Sequence, residues 1–236
     1  MKQWFPFSDY DFYAYLTAGV FLLLGLDLAI TGGSLMLRPE WTVVEVVIVI
    51  AAAYVVGQIA AGPASTLLEH VVARRVLHPP TSLLLGLAKP RFIERFFAAL
   101  FIGRGFGPLP TAMRETILTN AANAHGVEKI TDPEEVFQVA FPAARAVADT
   151  VARIDQFRNL YGFSRNVSFV AVVSTIALAI RWWMDPLPYS AWMTIIAAVI
   201  AFGMFGRFLK FYAEFATEVL RAYHNRLVAD GAGKKP

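Results

Sequence analysis

The chain contains no cysteine, which excludes disulfides, thiolate metal sites and a cysteine nucleophile. Its four histidines, His70, His78, His125 and His224, share no ligand spacing. Without thiolates to complete a set, no metal site and no cofactor is expected. Charge is scarce too: 17% of the residues are charged, against about 25% in an ordinary soluble domain. No segment alternates with a strand period, and no G-x-S-x-G elbow is present. "GRGFG" (Gly103 to Gly107) has the glycines of a phosphate-cradling loop, but no preceding strand and no Lys-Ser/Thr pair, so it reads as a turn beside Pro108 and Pro110. Glu69 and His70 are sequence neighbours and point apart on a helix. With no convergent catalytic set, an enzyme is not expected, and a lipid-modifying enzyme is the weakest of three function classes.

What the chain has in quantity is apolar surface: 57% of its 236 residues are hydrophobic, with a mean hydropathy of +0.52. Crossing about 30 Å of hydrocarbon takes about 20 helical residues. Apolar runs at 12–35, 41–61, 166–184 and 190–208 meet that length. The expected fold class is therefore an all-α integral membrane protein with four transmembrane helices. They form two hairpins, 1–62 and 166–208, flanking a helical insert at 63–165, with an extension and tail at 209–236.

Of the 21 Lys and Arg residues, all but Arg38 and Arg181 lie at the N-terminus, in the insert or from Arg207 onward. The positive-inside rule places those regions, and both termini, in the cytoplasm. A plasma (inner) membrane location is accordingly the expectation. Trp41, Trp182, Trp183, Tyr189 and Trp192 would form the outer aromatic belt, and Trp4, Phe5, Phe7, Tyr10 and Tyr13 the inner one. The basic cytoplasmic face suits anionic lipid headgroups, and no nucleic acid partner is expected.

Helix punctuation is legible in several places. Ser8 and Asp11 have the form of a capping box at the head of the first helix. The helix after the second span runs to "HPP", where Pro79 and Pro80 stop it. "KPRFIERFFAALF" sets Phe92, Phe96 and Phe97 beside Arg91 and Arg95, the pattern of a helix at headgroup level. Asp132 or Thr131 caps a helix that starts at Pro133, and Pro142 should kink the chain beyond it. Asp149 and Arg153 are spaced for an i,i+4 pair. Phe208, Phe211, Phe215, Val219, Tyr223 and Leu227 make a stripe descending from the fourth span.

Polar groups at membrane depth supply the candidate site. Asp27 interrupts the first span, where an acid costs about 2.5–3.5 kcal/mol near the centre. Thr31 and Ser34 share its helix face, opposite the small residues Ala18, Gly25, Ala29 and Gly32. Glu45 and Arg181 fall in the same outer leaflet by depth counting. An Asp27–Arg181 ion pair would fix helix register; without it, the acids would make a water-accessible site for a cation or proton. Tyr54 and Gln58 are expected to bond between helices. Gly162 should bend the elbow where the chain enters the third span, with Arg158, Arg165 and Asn166 at the inner interface, anchored on phosphates or transmitting motion.

Two function classes remain. The first is an oligomeric, channel-like four-span protein whose cytoplasmic helices gate or dock onto a polar pathway, the pore lying on a homo-oligomer axis. The second is a membrane-anchored sensor, effector or scaffold that binds a cytosolic protein partner through 63–165 and 209–229, its intramembrane charges purely structural.

Overall fold

Every regular element of the computed structural model is a helix; it describes residues 12–102 and 107–232, and no strand occurs among them. The Ser8–Asp11 capping box, the aromatics Trp4, Phe5, Phe7 and Tyr10, most of "GRGFG" and the end of the tail lie outside the described residues.

Helix α1 opens with a π-helical turn over Phe12–Leu16 and continues over Thr17–Ile30. Helix α2 is Val43–Ala64 and runs on as a π-helical stretch over Ser65–Val76. That change comes directly after Pro63, which lacks an N–H and clashes with the preceding turn. Helices α3 (Pro80–Leu84), α4 (Phe92–Phe97, extended by a π-helical turn at Ala98–Ile102), α5 (Thr111–His125) and α6 (Pro133–Arg145) are short. Helices α7 (Ala148–Met184) and α8 (Pro188–Ala232) are long. Helical stretches at Val43–Leu84, Ala148–Met184 and Pro188–Asp230 are long and apolar enough to cross a membrane, and Ala14–Ile30 is a shorter apolar helix.

Two sequence expectations are corrected here. The first helix ends at Ile30 rather than near residue 35, because Gly32 and Gly33 take positive φ (75° and 92°) and turn the chain back. Gly162 neither breaks nor ends a helix: it lies buried inside α7, which starts well before the expected elbow. Packing along α7 outweighs the cost of about 1 kcal/mol that glycine carries in a helix. The break expected after Pro142 is present: Pro142 sits in the last turn of α6, which stops at Arg145, and α7 starts at Ala148. The start of α6 is as expected, with the Asp132 carboxylate accepting from Glu134 N–H at 2.8 Å and Pro133 in the first position.

The chain forms two compact units, Met1–Val72 with Tyr161–Phe208, and Ala73–Leu160 with Leu209–Pro236. In the first unit, Ala18, Ala60, Val167 and Val170 form a core against which Leu22, Phe163, Ile200 and Met204 pack. Its helices come close enough to touch backbones. A Cβ added at Gly19 would overlap the Ala53 carbonyl, one at Gly57 the Tyr15 carbonyl, and one at Gly25 the Ser174 side chain. Of the predicted small-residue face, Ala18, Gly25 and Ala29 are buried in α1, whereas Gly32 belongs to the turn beyond it.

In the second unit, Phe137, Phe141 and Phe215 form an aromatic cluster with ring centroids 5.6–6.0 Å apart, joining α6 to α8. Val219 of the stripe descending from the fourth span is fully buried, and so are Ile154, Val136 and Leu220 of the same unit. Arg153 pairs with Glu218 at 3.0 Å instead of Asp149, since a buried acceptor on α8 offers more than an exposed one on its own helix.

Candidate functional site

The turn after α1 explains why Asp27 is there. Ending the helix at Ile30 puts Asp27 in the last turn, where the helix dipole disfavours a carboxylate. The chain then doubles back and presents donors to it. Asp27 accepts from Met36 N–H at 2.7 Å, from Leu35 N–H at 3.3 Å and from the Thr31 hydroxyl. Ser34 joins through its backbone N–H, which donates to Thr31 Oγ1 at 3.1 Å. Backbone donors in a turn need partners, and an ionised acceptor is a strong one. Asp27 is therefore a buried clasp that closes the 31–37 turn.

The other two members of the predicted outer group stand elsewhere. Arg181 pairs with Asp185, just past the end of its own helix, at 3.3 Å, so the expected Asp27–Arg181 ion pair does not form. Glu45 caps α2: Thr42 Oγ1 accepts from Glu45 N–H, and the Glu45 carboxylate accepts from Thr42 N–H at 2.8 Å. "TVVE" is a readable capping box ahead of an apolar run, and that signal alone accounts for Glu45. Glu45 also meets Arg38 at 3.0 Å, and the Arg38 guanidinium lies 4.2 Å from the centroid of Trp41. Arg38, which depth counting does not single out from its loop, is thus the cation of this outer group.

Asp27, Thr31, Met36, Arg38 and Trp41 line one cavity of about 400 Å³ whose remaining walls are aliphatic side chains of α1, of α2 and of Leu35 in the turn. Asp27 and Thr31 bond each other, and Arg38 pairs with Glu45 beside the cavity. Such a space suits an apolar or amphipathic guest better than a hydrated ion. Among the described residues no group of His, Asp or Glu is arranged to hold a metal.

Asp27 gives a direct test. Asp27→Leu should leave Leu35 and Met36 N–H unpaired, so their hydrogen exchange is expected to quicken several-fold while exchange at the α1–α2 contact around Ala53 is unchanged. Asp27→Asn, which keeps an acceptor oxygen, should show a smaller effect. Equal exchange in both variants and the parent would remove the clasp.

The expected inner group is divided. Arg158 is exposed and meets Asp155 at 3.5 Å in the second unit. Arg165 and Asn166 are buried in the first, where Arg165 binds Glu69 at 2.6 Å and donates to Asn166 Oδ1 at 3.2 and 3.3 Å. The phosphate-anchored reading of Arg165 and Asn166 is corrected accordingly: their partner is a carboxylate inside the protein. Ser164 and Ser168 are buried on the same stretch of α7, and Ser168 Oγ donates to the Ala201 carbonyl of α8 at 3.0 Å. Glu69 is hard to find from sequence because its neighbour His70 suggests acid-base chemistry instead. The available signal is an acid amid Leu67, Leu68, Val71 and Val72. Tyr54 and Gln58, expected to bond between helices, bond to each other at 3.0 Å along α2, with Tyr54 edge-on to Tyr15.

No protein family, characterised protein or solved structure matches the chain.

Proposed function

We propose that the protein is a membrane-anchored helical scaffold or effector. In this reading four spans form two hairpins in the plasma (inner) membrane, with both termini and the 63–165 segment in the cytoplasm. That segment and 209–229 bind a cytosolic protein partner, anionic lipids meet the basic cytoplasmic face, and the chain assembles with copies of itself. The exposed Trp182, Trp183, Tyr189 and Trp192 around the α7–α8 turn support an outer interface there. One observation carries the choice of role. Asp27 is bonded to its own turn, Glu45 to its cap and Arg38, Arg181 to Asp185, and Glu69 to Arg165. Charges spent on internal bonds hold helices together and leave little for a conducted ion.

The test is flux from liposomes reconstituted with the full chain. Potassium and proton flux should equal that of empty liposomes across voltage and pH. In cells, crosslinkers placed at exposed positions of 111–135 should capture one recurrent cytosolic protein. A second reading, the channel-like oligomer, keeps the buried carboxylate of Asp27 as its support. Flux above background that Asp27→Asn abolishes would replace the scaffold reading with it.

A further inference from the structure

Helix α4 is built inside out. Its one acid, Glu94, is 1% exposed, while Phe92 (83%), Ile93 (49%), Phe96 (48%) and Leu100 (56%) face outward. The burial of Glu94 is a bonded arrangement. Its carboxylate accepts from the backbone N–H of His78 and of Arg91, both at 2.5 Å, and lies 3.1 Å from His78 Nδ1. The N–H of Arg91 is the head of α4 itself, and His78 lies in the link between the π-helical stretch, which ends at Val76, and Pro79. Glu94 therefore clamps the helix by its polar side and fixes which face turns outward. Phe97 is buried behind it and stacks with Phe101 at 6.0 Å, so the rotation is held from the apolar side as well.

A helix in water would reverse this arrangement, because each exposed aromatic or aliphatic side chain forgoes about 1.5–3 kcal/mol of burial. The outward face is contiguous along one side of an eleven-residue helical segment (Phe92–Phe97 with Ala98–Ile102). Its polar surroundings are of one sign: Lys89, Arg91 and Arg95 are exposed, and the segment's single carboxylate is hidden. Arg91 also reaches the Val76 carbonyl, which keeps its guanidinium at the rim of the face. An apolar face rimmed by cations matches the boundary between acyl chains and anionic headgroups. A protein interface of this kind would call for a partner of mixed polarity at the rim.

We propose that α4 is a monotopic membrane-docking helix, which inserts Phe92, Ile93, Phe96 and Leu100 into the cytoplasmic leaflet and sets Lys89, Arg91 and Arg95 on anionic headgroups. It goes beyond the scaffold reading and does not depend on any protein partner. The absence of native cysteine makes the measurement direct, since single-cysteine variants need no background removal. Spin labels at Phe92→Cys, Phe96→Cys and, for comparison, the exposed loop position Lys129→Cys are read in nanodiscs for collisions with oxygen and with a water-soluble nickel chelate. In phosphatidylcholine with phosphatidylglycerol, labels at 92 and 96 should meet oxygen severalfold more often than nickel, and the label at 129 the reverse. Lys89→Gln/Arg95→Gln should shift the 92 and 96 labels toward water, as should phosphatidylcholine alone. Nickel access at 92 and 96 equal to that at 129 in the anionic nanodiscs overturns the proposal. So does shielding from both reagents, the signature of a second copy or another protein. Immersion that is identical with and without phosphatidylglycerol overturns the role given to the basic rim. Both labelled side chains are exposed, so the fold is expected to survive the substitutions, and unchanged thermal unfolding checks this.

Discussion

Gly19→Ala and Gly57→Ala should each unseat α1 from α2, although alanine is the better helix former. The added methyl at position 19 meets the Ala53 carbonyl and at position 57 the Tyr15 carbonyl, and neither is a side chain that can swing away. Overpacking of this kind costs about 1–3 kcal/mol and sometimes more, and relief requires the two helices to move apart. Helix propensity works the other way by about 1 kcal/mol, so the sign depends on the contact. Gly62 and Gly203 supply the control, because a Cβ at either meets nothing within 4 Å. Thermal unfolding of the purified full chain should therefore fall by several degrees for positions 19 and 57 and stay level or rise for 62 and 203. A uniform response at all four positions would mean that propensity alone governs and that the close approach contributes nothing.

Breaking the Glu69–Arg165 pair is the second large effect. Both side chains are about one-tenth exposed, with the charges 2.6 Å apart. Removing one partner takes the nearest counter-charge from the other in a poorly solvated interior, at a cost of about 3–5 kcal/mol. Glu69→Met and Arg165→Met should each destabilise strongly, and the double variant should lose much less than the sum. Arg165 also holds Asn166 Oδ1, so Arg165→Met is expected to be the more damaging single change. Additive losses in the double-mutant cycle would show that the two side chains act independently.

Much of the architecture is written in the pattern of residue types. Apolar runs with few charges specify helices, Asp132–Pro133 opens α6, and Pro79 with Pro80 closes the helical stretch before them. The phenylalanine stripe of α8 buries Phe215 and Val219 as its spacing requires. Two signals are present yet easily overridden. "TGG" marks the end of α1, but the apolar residues beyond it invite a longer helix, and "TVVE" is a cap although its acid stands at the head of an apolar run.

What the sequence determined by itself was which faces are apolar and, at Pro133 and at Pro79–Pro80, where a helix begins or stops. These features come from local backbone chemistry and a period of 3.6 residues. The tertiary structure decided every partnership: Asp27 with a turn that folds back on it, Glu69 with Arg165, Glu94 with the N–H groups of His78 and Arg91, and glycines against carbonyls. Such contacts depend on which donor comes within about 3 Å, and periodicity carries no information about that distance. Asp27 shows the difference most plainly. Its charge and apolar surroundings were legible, but its neighbours came from a reversal of the chain at Gly32 and Gly33 that brings Leu35 and Met36 back over the helix end.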